Sequence, residues 1–367
     1  MGARRLRIVI LGLTITSSWG NGHATTFRGL VRGLARRGHR VLFLEREKPW
    51  YAENRDLPRP PYGETRLYNS PEELQRRWGA AIRGADLVVV GSYVPDGIAV
   101  GRIVQRLATG ATAFYDIDTP VTLAALACGS CEYLTLDLLR GFDLYLSFTG
   151  GPTLDELETE FGARAARPLY CSADPDIYRP DPDAADRWDL GYLGTYSPDR
   201  QPTLDSLLCA PARAWSAGRF VVAGPLYPDD LAWPGNVERI EHLAPYQHRG
   251  FYAAQRFTLN VTRADMVRRG YSPSVRLFEA ACCGVPIISD WWPGLDEFFR
   301  PGREILIART EAEVGALLRD LPEPKRQAIA EAARARVLAS HTGDHRAAEL
   351  EAYAAEALRG VRKRATA

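Results

Sequence analysis

Lysine is nearly missing from this chain: three of its 46 basic residues are lysines, at positions 48, 325 and 363. The rest are arginine, an imbalance that codon usage explains more simply than function does. An excess of either charge sign is missing too. The 46 basic and 45 acidic residues leave a net charge of +1, which argues against a nucleic-acid binder, since those carry net positive charge or a basic stripe. No run of 18 or more apolar residues occurs, so no segment is expected to span a membrane. The start, MGARRLRIVILGLTIT, has the basic-then-apolar order of a leader. A glycine-rich turn, SSWGNGH, follows where a small-residue cleavage site would be needed, so RIVILGL reads as a buried first strand and the chain as cytoplasmic. Six cysteines in 367 residues do not make a disulfide scaffold. Cys128 and Cys131 form one C-x-x-C, but no second close Cys or His pair completes a zinc site. They read as small helix residues, with a redox pair as the alternative, and Cys282 and Cys283 read as small helix residues as well.

What is present is alternation. Apolar strands are expected at 7–13, 39–45, 85–91, 111–117 and 142–148, with amphipathic helices at 24–38, 71–84 and 95–110 between them. Strands that are apolar throughout, separated by helices, predict a parallel sheet covered on both faces. The pattern breaks at YCSADPDIYRPDPDAAD, where Pro and Asp accumulate without period. It then restarts, with strands expected at 189–196, 219–224, 236–240, 256–262, 285–290 and 305–308, and 323–360 largely helical. The expectation is an α/β chain of two doubly wound, Rossmann-like domains facing a cleft. Residues 1–170 form the first domain, 171–187 a linker, 188–340 the second domain, and 341–367 a final helix packing back toward the first. Ligands of such sheets bind beyond the carboxyl ends of the strands.

The stretch VRLFEAACCGVPIISD carries one residue at odds with plain packing, Glu279. Ser272 followed by Pro273 suits a helix start, and the amino end of such a helix suits a diphosphate. Arg276 lies just inside it, with Arg263, Arg268 and Arg269 upstream, and arginine forks match phosphate oxygens. A carboxylate further along can accept two hydrogen bonds from vicinal hydroxyls such as those of a ribose. The alternative is a Glu on a solvated face, paired with Arg276 three residues back. Spacing alone leaves both open.

The segment 262–299 resembles the nucleotide-binding half of GT-B glycosyltransferases near the family-four type. The features that carry the likeness are E-A-A-C-C-G-V-P-I-I-S-D followed by W-W-P-G-L-D-E. The stretches YDIDTPVTL, YLGTYSPDRQ, LNVTRADM and RLFEAACCG are closer still to the spore-maturation, CgeB-like group. The resemblance implies that Glu279 binds the ribose. It also implies that Arg276, Arg200, Arg263, Thr195, Tyr196 and Ser274 serve the nucleoside diphosphate. The first glutamate of the family pair is replaced by Tyr271, which puts the donor sugar and the stereochemical outcome outside the resemblance.

The first half is expected to bind the acceptor. His23, at the head of a helix after the first strand, and Asp116 and Asp118, at the end of the fourth foreseen strand, are the catalytic candidates. Each has a plainer role available, as a packing or capping residue. Gly20, Asn21 and Gly22 let backbone approach a ligand closely, although a lone G-x-G makes no dinucleotide fingerprint. The implied activity is transfer of a sugar from a nucleoside-diphosphate sugar, UDP favoured, to a small-molecule or glycan acceptor. No metal or further cofactor is required: no D-x-D sits in the second domain, and D-I-D at 116–118 lies in the wrong half. The alternatives are an epimerase or hydrolase of the same fold, and an inactive sugar-nucleotide-binding protein. The basic tail VRKRATA suggests at most weak contact with anionic lipid. Residues 46–70, rich in Pro and aromatics, shape the acceptor pocket or form a surface loop.

Overall fold

The computed structural model describes residues 5–20 and 22–366, so Asn21 lies outside the described residues. The chain divides into two compact units. The first comprises residues 1–171 and 343–367, the second residues 172–342.

The first unit is built on seven parallel strands in the order β3-β2-β1-β4-β5-β6-β7. These are β1 (Arg7–Gly12), β2 (Arg40–Arg46), β3 (Glu64–Tyr68), β4 (Leu87–Gly91), β5 (Ala111–Asp116), β6 (Leu144–Ser147) and β7 (Ala166–Pro168). The central strands β4 and β5 are buried along their whole length, as a sheet covered on both faces requires. β3 and β7 were not expected from sequence. Both are edge strands; ETRLY is half exposed and ARP contains proline, so neither shows the apolar run that marks the inner strands. The long final helix Gly343–Thr366 lies against helix His23–Arg36. Glycine makes this close approach possible: a Cβ on Gly33 would stand 2.5 Å from the Gly343 carbonyl oxygen, and one on Gly343 2.5 Å from that of Gly29.

The second unit repeats the plan with six parallel strands in the order β10-β9-β8-β11-β12-β13. They are β8 (Trp188–Leu193), β9 (Phe220–Ala223), β10 (Val237–Ile240), β11 (Gln255–Asn260), β12 (Ile287–Ser289) and β13 (Leu306–Ile307). All six fall within or beside the stretches expected from sequence. Segment 172–187 is packed only in its first part, with Ser172, Ala173, Asp174 and Tyr178 buried and Ala173 bridged to Thr342, and is largely exposed beyond Tyr178.

In both sheets the strand order reverses beside the first strand, between β1 and β4 and between β8 and β11. Loops leaving the two strands there diverge, and the space they leave at the carboxyl edge is where doubly wound sheets hold ligands.

Candidate active site

In the second unit, the β8–β11 switch point gathers most of the residues that the sequence reading singled out. The loop after β8 carries Thr195, Tyr196 and Arg200, and the Arg200 guanidinium donates to the Thr195 carbonyl at 2.5 Å. The loop after β11 carries Arg263, Tyr271 and Ser274. Between them stands Asp199, which accepts from the Ala264 amide at 2.8 Å and from the Ser197 hydroxyl. Burial alone would raise its pKa; these donors and the charges of Arg263 and Arg200 hold it below the usual carboxylate value. Arg200 and Arg263 each have a buried Nε with no hydrogen-bond partner among the described residues, an arrangement that a bound anion would satisfy.

The helix Val275–Cys282 starts later than expected. Its N-cap is Ser274, not Ser272. Gly270 and Tyr271 have positive φ, +69° and +51°, and the Tyr271 amide donates to the Pro293 carbonyl at 2.7 Å. These constraints keep 270–274 as a loop tied to segment 290–294. Positive φ is strained for an aromatic residue, and the Tyr271 ring packs over Gly294. The Ser274 hydroxyl turns away from the helix to donate to Asn260 Oδ1 at 2.7 Å, and no side chain caps the helix. Arg276 is buried. It donates to the Leu193 carbonyl at 2.6 Å and to Asn260 Oδ1 at 2.9 Å, with its guanidinium 4.6 Å from the Tyr192 ring centroid. It therefore clamps the ends of β8 and β11 together.

Glu279 is not on a solvated face. It is 3 % exposed, so the surface-pair reading falls. Tyr252 donates to its Oε2 at 3.3 Å, and the Tyr178 hydroxyl is within reach. Burial pushes the carboxyl up to about 7, against the pull of both hydroxyls and of the Arg276 charge.

Sequence reasoning missed the supports of this edge. Asp290, at the end of β12, accepts from the Thr262 amide and hydroxyl at 3.0 and 2.9 Å. Arg239 reaches back from β10 to the carbonyls of Val222 and Gly224, at 2.6 and 3.0 Å, and stacks on Tyr227 and Trp233. Tyr227 in turn donates to the Gly194 carbonyl at 3.2 Å. The only available signal was position: each lies at or just beyond a strand's carboxyl end. Of the two tryptophans in DWWPG, Trp292 is buried against Phe298 and Trp291 is exposed.

In the first unit, His23 begins its helix at the β1–β4 switch point and is buried, with its ring edge-on to Tyr93. Burial depresses its pKa to about 4, and the nearby Asp118 charge opposes the shift. His23 and Asp118 are thus brought together, and at neutral pH the imidazole is uncharged. The Asp118 side chain makes no capping bond to its helix. Asp116 lies beneath Asp118 and accepts from its amide at 3.2 Å. It is fully buried, accepts from Tyr145 and from Thr122 (2.8 Å), and is pushed by burial up to about 6. The loop carrying Gly20, at φ +68°, and Gly22 is anchored from below. Glu45 accepts from the Ile15 and Thr16 amides at 2.7 and 3.0 Å. Asp56 accepts from the Ser18 amide and, through both oxygens, from Arg28. Asp56 lies in the 46–70 insert, so part of that insert is a brace for this loop. The C-x-x-C thiols are free, Cys128 exposed and Cys131 partly buried.

Comparison with known proteins agrees with this fold. Residues 200–352 match the family model described as glycosyl transferase-like. Sucrose-phosphate synthase from Thermosynechococcus elongatus superposes over 96% of this chain and 99% of its own, with TM-score 0.67 and 14% identity. Anabaena HepE in complex with UDP and glucose covers 96% and 100%, with TM-score 0.71 and 14% identity. AviGT4, a glycosyltransferase involved in avilamycin A biosynthesis, covers 97% and 98%, with TM-score 0.62 and 17% identity. No curated protein sequence matches the chain. The fold is that of the GT-B glycosyltransferases. Among the described residues no helix is long and apolar enough to cross a membrane.

Proposed function

We propose that the protein is a glycosyltransferase of the CgeB-like kind that moves a sugar from a UDP-sugar to a small-molecule or glycan acceptor. The observation that carries this reading is the buried Glu279, held by tyrosine hydroxyls five residues beyond the Ser274 cap of a helix whose amino end no side chain satisfies. A carboxylate so placed accepts the two ribose hydroxyls. The diphosphate then meets the helix amino end and the unpartnered Nε groups of Arg200 and Arg263, and Arg276 holds the walls in place. Stabilising the departing diphosphate with fixed positive groups is the main catalytic contribution, and no metal is needed for it.

The acceptor belongs to the first unit. An imidazole titrating at about 4 is a weak base at neutral pH. His23 is therefore uncharged beside the reacting hydroxyl, with the Asp118 carboxylate near it, and one of the two takes the proton if the reaction inverts the anomeric centre. Asp116, enclosed by Tyr145 and Thr122, braces that loop.

Thermal-shift titration with UDP, dTDP, GDP and ADP tests the reading, run on the wild type and on Glu279→Ala. A rise in midpoint with UDP that the variant loses supports it, and no rise with any nucleotide refutes it. Release of UDP from UDP-glucose in the presence of EDTA tests metal independence; loss of turnover, restored by a divalent ion, would contradict it.

A further inference from the structure

Glu279 is one corner of a group of four side chains within the second unit, of which Glu279, Tyr178 and Tyr252 are buried and His248 is partly buried. Helix Pro245–Ala253 presents His248 and Tyr252, and segment 172–187 presents Tyr178. His248 is the hub. Its Nε2 lies 3.2 Å from the Leu243 carbonyl oxygen. A carbonyl only accepts, so Nε2 carries a proton whatever the charge of the ring. Nδ1 is then the nitrogen that changes role. It lies 3.4 Å from the Tyr178 hydroxyl and 4.0 Å from Glu279 Oε2.

Two arrangements follow. In the neutral ring, Nδ1 accepts from Tyr178, and Glu279 keeps the Tyr252 hydroxyl as donor. In the imidazolium, the Nδ1 proton faces the carboxylate, and Tyr178 turns its own proton to Glu279. The other groups around Glu279 do not compete. Arg276, on the same helix, is already a cation, and the Cys283 thiol beyond the helix end is pushed further toward its protonated form by burial. The packed helix Glu323–Ser340 brings Arg334 toward Cys282.

We propose that His248 is the positioning residue of this site, taking the Glu279 proton when a ribose diol arrives, so that the carboxylate accepts both hydroxyls with no proton lost to solvent. The step balances within the pair: carboxylic acid and neutral imidazole become carboxylate and imidazolium, and the charge of the pocket does not change. The inference rests on the reading that Glu279 receives the diol. It also ties loop 241–244 to the occupied site, because the imidazolium strengthens the Nε2 bond to Leu243.

Isothermal titration with UDP-glucose, whose diphosphate is fully ionised across the neutral range, tests it. At about pH 6, one unit below the Glu279 midpoint of about 7, two buffers of different ionisation enthalpy report the protons exchanged on binding. The wild type is expected to exchange close to none. His248→Gln keeps a donor for Leu243 but takes no proton, so it should release about 0.9 proton, and its affinity should fall about tenfold per pH unit below 7. Equal exchange by the two proteins overturns the proposal. Nitrogen-15 shifts of the His248 ring give a second measurement that needs no variant. At the same pH the complex should show an imidazolium, and a neutral ring in the complex overturns the proposal. Failure of the functional reading looks different: the wild type then gives no binding heat with UDP-glucose, and the inference falls with it.

Discussion

Glutamine at position 279 separates holding a buried carboxyl from using it. The two side chains share shape, and the amide oxygen still accepts from Tyr252. Their difference is charge. Glu279 titrates at about 7 in the folded protein against an ordinary value of 4.5. The native state therefore holds this proton more tightly than the unfolded chain does. The stability that goes with it is fully present below pH 4.5 and is lost as pH rises through 7. At 1.36 kcal/mol per unit, the shift amounts to about 3 kcal/mol in full. Between pH 5 and 8 the wild type should lose about 2–3 kcal/mol from this one group, and Glu279→Gln should lose none of it. The assay is urea unfolding at both values, following the transition that the variant displaces. The two proteins should be nearly equal at pH 5, with the variant clearly more stable at pH 8. UDP binding should disappear in the variant at both. A gap that is the same at the two pH values would refute the burial argument. Retained UDP binding would show that the carboxyl is there for packing alone. A residue whose neutralisation stabilises the protein and removes its ligand is what a functional site leaves behind.

His23 should show the opposite sign. Its folded value of about 4 lies below the ordinary value of 6.5, so its contribution is present above pH 6.5 and lost as pH falls through 4. His23→Gln should flatten acid unfolding by about 3 kcal/mol over that window, and an unchanged acid limb in pH-dependent urea melts would count against it. Gly224→Ala should be severe. Its φ is +141°, and the added Cβ would stand 2.1 Å from the Gly194 carbonyl oxygen. On the order of 3 kcal/mol would lower the melting midpoint by roughly 10 °C; a shift of only a degree or two would mean that the two loops move apart freely. Arg276→Lys keeps the charge but lets go of either Leu193 or Asn260. UDP affinity should fall at least about tenfold, measured by the same calorimetry, and wild-type affinity would show that charge alone suffices.

Much of this could be read from the chain. RIVILG, LVVVG and ATAFYD announce buried parallel strands because both sheet faces are covered, which favours apolar residues on both. Glycine marks where several of the helices stop. The oddity of Glu279 was visible because a charged residue amid Phe, Ala and Cys has few reasons to exist. β3 and β7 were not visible, since edge strands half exposed to water or interrupted by proline carry no apolar run. The helix start was misplaced by two residues because Ser272 and Pro273 make a good local signal. The tether from Tyr271 to Pro293 overrides it, and that tether is a contact between loops far apart in sequence.

The sequence by itself determined the inner strands and the main helices, where the pattern breaks, and which ionisable residues are out of place. Local spacing carries that information, since helix and strand periods are properties of a few consecutive residues. Only the tertiary structure decided whether Glu279 faced water, that Tyr178, Tyr252 and His248 surround it, and that His23 is uncharged at neutral pH. The reason is physical: burial and hydrogen-bond partnership set a group's charge, and around Glu279 both depend on residues brought together from helix Pro245–Ala253, helix Val275–Cys282 and the 172–187 segment, which no local pattern encodes.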